Sequence, residues 1–490
     1  DATIDSSSLA LDAVALFGYV LEGMNDRVSL KTEVHRTVKK LKLKNFDLNF
    51  KEKTRIKGTI NLDDYRDFKN GFFHEIIDYS YIDFKELQTI RLPNISLVKY
   101  ISLDEKTNRF GFIESIDTRL DGSFDQFVIA ADKISTKIGV VQIDNGIMFH
   151  ANPQNNSYLF NTSNLEDLDL TVDNFDIGAY TNNQDIGTVN GKFALEGEIF
   201  NSKDIRFYKM TGDIDKIEYL NYPYSNISIF DGSFEKGILK GKVDIQDDNL
   251  NLIYDGILDF NGEQRISFNV DLISAFLDRI NLTTKNSFLR SNFNVDITGR
   301  NLNEYKGEVI VNGLIYKASG KEIKVPSMTL MINRSRTKDV LEIKSDIADV
   351  NIDGKIDFNQ IMNDFKYQFS RIFPTLFTAD IRKNKRINDD NFNYSINIKE
   401  ADDFLSIFLP DLKIANNTLI KGKYVGSTSN LTLEAKSSMV EYKDYKMNQF
   451  EINQIIDSNS VAATYYVEKF KFNDSIFFDN VYFKSTGSGI

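Results

Sequence analysis

The feature that most constrains this chain is a period of two. Leu239, Gly241, Val243 and Ile245 alternate with Lys240, Lys242, Asp244 and Gln246. After a turn cluster at Asp247, Asp248 and Asn249, the return run sets Leu250, Leu252, Tyr254, Leu258 and Phe260 against Asn251, Asp255 and Asp259. Ile253 and Ile257 are the exceptions. Successive side chains of a strand point to opposite faces, so such a run has one apolar and one polar side. Asn261-Gly262 supplies the next turn. The pattern predicts a half-buried antiparallel meander.

Similar units recur along most of the length: Ile56, Gly58, Ile60 and Leu62; Leu168, Leu170 and Val172; Phe293, Val295 and Ile297; Met328, Leu330 and Ile332. Later come Val350, Ile352, Gly354, Ile356 and Phe358, then Phe392, Tyr394, Ile396 and Ile398, then Leu431, Leu433 and Ala435. A degenerate cassette, Gly followed by alternating apolar positions, runs beneath them. It occupies Gly58 to Leu62, Gly191 to Leu195, Gly241 to Ile245, Gly256 to Phe260, Gly307 to Val311 and Gly354 to Phe358. The copies are irregularly spaced, so they are strand-scale echoes and not a fixed-period solenoid. The abundance of Phe (38) and Tyr (22) also favours strands. A chain of 490 residues holds on the order of 30 strands with their turns. The expected fold is therefore mainly β: one continuous antiparallel-rich sheet over 1–490, roughly 140 Å long if unbroken.

Four segments break toward helix. The first is 63–92, with Phe68, Phe72, Ile76, Ile77 and Phe84 before Pro93; the second is 274–280, around Ala275, Phe276 and Leu277. The third, 358–373, places Phe358, Ile361, Met362, Phe365, Phe369, Ile372 and Phe373 near helical spacing before Pro374. The fourth is 402–409. These short helices are expected to cover edges or ends of the sheet, or to shape an entrance to a cavity.

Catalytic chemistry is not nominated. The chain has no Cys, which removes disulfides, thiol nucleophiles and Cys-based metal sites. His35, His74 and His150 are far apart, with no i, i+4 partner. Asp349, Asn351, Asp353 and Gly354 match the first half of a calcium loop, but its twelfth position falls on Gln360, which has no carboxylate. The same residues read well as a strand. The net charge of −12 argues against a nucleic-acid partner. The longest apolar run, Ala13 to Leu21, is interrupted by Gly18 and falls short of the roughly 18 residues of a spanning helix. The expectation is a non-enzyme with no cofactor and no metal. Opening on Asp1, the chain reads as a piece of something longer, with any membrane anchor outside it.

The amphipathic strands, the glycine cassette and the phrase from Ile297 through Gly299, Leu302, Tyr305 and Gly307 to Asn312 resemble TamB, in the AsmA-like superfamily. The Asn-, Lys- and Ile-rich, Trp-free texture is similar to versions from the Bacteroidota. The resemblance covers nearly the whole chain and rests on accumulation, with no single specific motif. It implies a mid-region fragment of a periplasm-spanning protein anchored in the inner membrane. Such a protein has a sheet curled into an open apolar groove (a β-taco). It also implies movement of phospholipid toward the outer membrane, and work with a TamA-like barrel of the Omp85 type through regions outside this chain. No catalytic residues carry over.

What carries over is the role of the inward positions: Leu239, Val243, Ile245, Leu250, Leu252, Tyr254, Leu258, Phe260, Val295, Ile297, Leu330, Ile352, Ile356, Phe358, Tyr394, Ile396, Leu431 and Leu433 as the groove lining. A curled sheet with no opposing layer can use acyl chains as its core, each buried methylene gaining about 0.8 kcal/mol. Alternation alone divides evenly between such a groove and dry sandwiches; the resemblance favours the groove. Two other classes stay open. One is a surface adhesin or carbohydrate-binding protein, with the Tyr219 to Tyr224 stretch as its platform. The other is a fragment of an outer-membrane barrel.

Overall fold

A computed structural model describes residues 1–10, 27–64, 71–87, 91–92, 95–96, 109–123, 126–151, 160–201, 204–301, 303–335, 338–358, 360, 363, 367, 389–457, 459–473 and 475–488. The protein is mainly β, its strands paired antiparallel, with three short helices among the described residues. The strands form the expected long antiparallel sheet, and the chain divides into two compact units, Asp1–Asp248 and Asn249–Ile490.

The first unit contains β1 (Ala2–Ala10), β2 (Arg27–Arg36), β3 (Lys40–Phe50), β4 (Thr54–Asp63) and β5 (Phe72–Asp83). An insertion follows, with helix α1 (Phe84–Leu87) and a ribbon of β6 (Arg91–Leu92) and β7 (Ile95–Ser96). The meander resumes with β8 (Phe112–Ser123), β9 (Gln126–Thr136), β10 (Gly139–Ala151) and β11 (Phe160–Asp176), then helix α2 (Ile177–Thr181). It ends with β12 (Ile186–Asn201), β13 (Asp204–Tyr219), β14 (Tyr222–Glu235) and β15 (Ile238–Gln246). Each strand pairs with the next, and β5 pairs with β8 across the insertion. Among the described residues no pairing joins β1 to β15, so this unit does not close into a barrel.

The second unit runs through β16 (Leu250–Asp259), β17 (Gln264–Phe276), β18 (Ser287–Gly299), β19 (Lys306–Ala318), β20 (Lys321–Asn333), β21 (Asp339–Ser345), β22 (Ala348–Lys355) and β23 (Asn391–Ile398). Helix α3 (Asp402–Phe408) and β24 (Leu412–Ile414) precede β25 (Thr418–Val425), β26 (Asn430–Tyr442), β27 (Tyr445–Ile456), β28 (Ser460–Asn473) and β29 (Ile476–Ser488). Here β23 pairs with β25, while β24 adds to β26. Helix α3 packs on β20: Lys321 Nζ donates to the Ser406 carbonyl at 2.6 Å, and Phe408 stacks on Tyr316 at 6.0 Å.

Strands in the first unit are bent where residues take left-handed backbone. Asn45 on β3 (φ 51°), Asp117 on β8 (50°), Asn145 on β10 (61°), Asp167 on β11 (49°) and Asp231 on β14 (49°) all do so within strands. Short polar Asn and Asp tolerate that region best. Register shifts lie beside four of them: between Leu43 and Phe46, Ile143 and Ile147, Leu165 and Leu168, and Phe230 and Ser233. A bulge bends its strand and inserts a residue, so the apolar phase skips by one and stays on the same face. That is why Leu41 and Leu43 are followed by Phe46, Leu48 and Phe50.

Two helix expectations are corrected. Most of the described part of 63–92 is strand: Phe73 and Ile77 on β5 are buried, whereas Phe72 (53% exposed) and Ile76 point to the other face. Apolar residues on both faces, plus an extra residue where Ile77 shifts register against Gly58, mimic helical spacing. Among the described residues of that stretch, only Phe84–Leu87 is helical. Over 274–280, β17 continues to Phe276 and a turn follows, with Ile280 buried beneath it. Cross-strand pairing through Ala275 and Phe276 outweighs local helical preference. The 358–373 expectation lies almost wholly outside the described residues. At 402–409 the chain forms α3.

Candidate functional site

The candidate site is a face. In the first unit, Ser7, Leu30, Leu48, Ile56, Ser80, Ser115, Ile134, Val141, Val172, Gly191, Ile214, Ile227 and Ile245 oppose one another in turn from β1 to β15. In the second, the row is Gly256, Phe268, Val295, Val309, Leu330, Ile343, Val350, Ile396, Ile420, Ala435, Ile452, Tyr465 and Phe483. It crosses from β16 to β29 with the Tyr465 phenol as its one polar group. One residue along each strand, the reverse face reads Ser267, Asp296, Glu308, Met331, Glu342, Asn351, Ser395, Lys421, Glu434, Asn453, Thr464 and Lys484. Ion pairs such as Lys421–Glu434 and Lys436–Glu451, both 2.9 Å, lie on that side.

Burial separates lining from core. From Phe268 to Tyr465 the second row is half-buried, with only Val295 buried outright, and Phe483 is exposed. A face sealed under a second layer would have its large residues almost fully covered. Sealed patches do occur. Ile356, Phe392, Tyr394, Tyr424, Leu431 and Ile456 form one, and Leu165, Leu168 and Leu195 form another beside the Asp167 bend.

The expected lining residues distribute accordingly. Leu239, Val243 and Ile245 share one face of β15, opposite Phe234, Ile229 and Ile227. Leu250, Leu252, Tyr254 and Leu258 share one face of β16, opposite Ala275, Leu272, Val270 and Ile266. Val295 and Leu330 stand in the row just traced, as does Ile396. Ile297 continues through Gly307 to Ile332, and Ile352 faces Tyr394. Ile356, Tyr394 and Leu431 are sealed in the local core, with Ile352, Phe358 and Leu433 packed against it. Phe260 is a correction: β16 ends at Asp259, and Phe260 projects from the turn 58% exposed.

The cassette glycines also acquire a reason. Gly307 (φ 133°) and Gly354 (φ 146°) sit on the apolar face, where a Cβ would come within 2.1 Å of the Asp296 carbonyl and 2.2 Å of the Asn391 carbonyl. Only a residue without Cβ admits that approach.

Sequence reasoning missed one group, whose Glu75 and Ser80 lie in the stretch read as helix and whose Ser115 and Thr118 come from β8 across the insertion. Glu75 points with Phe73 and Ile77 onto the apolar face, opposite Ile60 and Leu120. Ser80 pairs across with Ser115, their hydroxyls 2.7 Å apart, and Thr118 donates to Ser115 at 2.9 Å. Burial raises the Glu75 carboxyl above its ordinary pKa. The signal was legible as Phe73, Glu75 and Ile77, then Ser80 and Ile82 after a one-residue skip.

The half-calcium motif is part of β22, where Asp349 pairs with Lys399 at 2.7 Å and Asp353 with Lys338 at 2.9 Å. His35 pairs with Asp1 at 2.8 Å and His74 with Asp121; the side chain of His150 lies outside the described residues. Among the described residues, no group of three or more potential ligands could hold a metal ion, and no helix is long and apolar enough to cross a membrane. In the Tyr219 to Tyr224 stretch Tyr224 is buried and Tyr222 donates to Asp247 at 2.6 Å, which leaves Tyr219 as the exposed ring.

No family model, curated protein or solved structure matches this chain.

Proposed function

We propose that this protein is a non-enzymatic lipid conduit whose apolar sheet faces hold acyl chains while the charged faces remain in water. The observation that carries this reading is the half-buried apolar row from Phe268 to Tyr465, backed by a mainly polar row one residue away. A uniform apolar track gains about 25 cal/mol for each Å² it takes out of water and has no preferred stopping point along it. Acyl chains fit such a track because they are long and featureless. The likeness to TamB and the AsmA-like superfamily supports phospholipid as cargo. It also supports a periplasmic setting between two membranes, with an Omp85-type barrel as a partner reached through other regions.

The test is photo-crosslinking from Val243 or Leu252, both on the apolar side, in protein purified without detergent. Phospholipid adducts are expected there and not from Asp244 or Asn251 on the reverse face. Absence of lipid from both the extracts and the crosslinks would overturn the proposal. Glycan binding with a lipid-free interior would favour the adhesin instead.

A further inference from the structure

The apolar face of the first unit is broken on neighbouring strands β5 and β8. Ser80 and Ser115 interrupt the row between Ile56 and Ile134, and Thr118 stands opposite Ile77 two positions from Glu75. Three hydroxyls share two hydrogen bonds, Thr118 to Ser115 and one between Ser115 and Ser80, so one O–H remains to donate. The Glu75 carboxyl has no hydrogen-bond or ionic partner among the described residues, and no Lys, Arg or His of β4, β8 or β9 is in register on this face. A carboxylate drawn out of water with no counter-charge is costly, and a ligand that brings a cation relieves that cost. An anionic ligand would worsen it, and a plain hydrocarbon would leave it unrelieved.

We propose that this notch holds the zwitterionic end of an amine-bearing amphiphile, its ammonium on Glu75 and a phosphate oxygen on the spare hydroxyl of the Ser80–Ser115 pair. The inference rests on the conduit reading and narrows its cargo to aminophospholipid. The Ser80–Ser115 pair lies four strand steps from Glu75, the bulged residue apart, which is about 13 Å along the sheet. The Glu75 side chain reaching along the strand, then a phosphoethanolamine group with a hydrogen bond at each end, bridge that span in series. Apolar positions on either side, Ile60 and Leu120, accommodate the adjoining chain.

The experiment incubates the full chain with vesicles of equal phosphatidylethanolamine and phosphatidylglycerol, re-isolates it, and measures bound lipid by mass spectrometry. Wild type is expected to enrich the ethanolamine lipid. Glu75→Gln, nearly isosteric, is expected to lose that enrichment by about tenfold, the worth of one charge-assisted hydrogen bond. Glu75→Lys is expected to turn the preference toward phosphatidylglycerol. Free phosphoethanolamine is added in a parallel arm. Displacement by it assigns the notch to the soluble headgroup, persistence assigns it to the membrane lipid, and both support recognition of the amine. An unchanged lipid ratio in Glu75→Gln, with lipid still bound, overturns the notch and leaves the conduit standing. Lipid absent from wild type overturns both.

Discussion

Leu330→Asp and Phe392→Ala together separate an open lining from a sealed core. Leu330 is half-buried on β20, between Val309 and Ile343. Full burial of a leucine is worth about 1.5–3 kcal/mol, so its half-buried side chain contributes roughly 1 kcal/mol. Placing Asp in a strand costs up to about 1 kcal/mol more. In an open face the new carboxylate stays hydrated, and the total is about 2 kcal/mol. Phe392 is 1% exposed and packs on Tyr424 with ring centroids 5.4 Å apart. Its truncation leaves a cavity and is expected to cost about 3–5 kcal/mol. The chemically milder change should therefore be the more damaging one. Guanidinium unfolding monitored by tyrosine fluorescence measures both, compared at constant slope. If the Leu330 face were covered by a second layer, its Asp would be a buried unpaired charge costing several kcal/mol, and the order would invert. That inversion would refute the open lining.

Two further outcomes follow from the same geometry. Glu75 has a folded-state pKa raised from its ordinary 4.5 by burial, so the native state holds its proton more tightly than the unfolded chain. Stability is then greatest below about pH 4.5 as far as this group is concerned, and falls as pH rises through the raised value. Glu75→Gln should flatten that segment of the midpoint-versus-pH curve, and an unaltered curve would contradict the burial argument. Gly354→Ala forces a Cβ to within 2.2 Å of the Asn391 carbonyl at φ 146°, so a loss of about 1–3 kcal/mol is expected in the same unfolding assay. A neutral result would show that β22 and β23 can separate freely there.

The two-faced character of the strands was legible because alternation is a property of one strand alone. The stretch from Leu239 to Leu258 needed no tertiary information. The misreading of 63–92 came from residues that serve both faces: Phe72 and Ile76 outward, Phe73 and Ile77 inward. Spacing alone cannot separate such a strand from a helix. The bends were half legible, since Asn45 sits at the phase skip between Leu43 and Phe46, but a left-handed residue inside a strand needs neighbours to hold it there.

What the sequence by itself determined is the two-faced character of the cleanly alternating strands, and so the presence of an apolar face. What only the tertiary structure decided is register, closure and company. It aligned Val295, Val309, Leu330 and Ile343 into one half-buried row, and sealed Ile356, Tyr394 and Leu431 into a core. It brought Ser80 to Ser115 across an insertion. The physical reason is that side-chain direction follows from backbone geometry within a strand, whereas opposition and burial depend on which strands pair and on what lies above them.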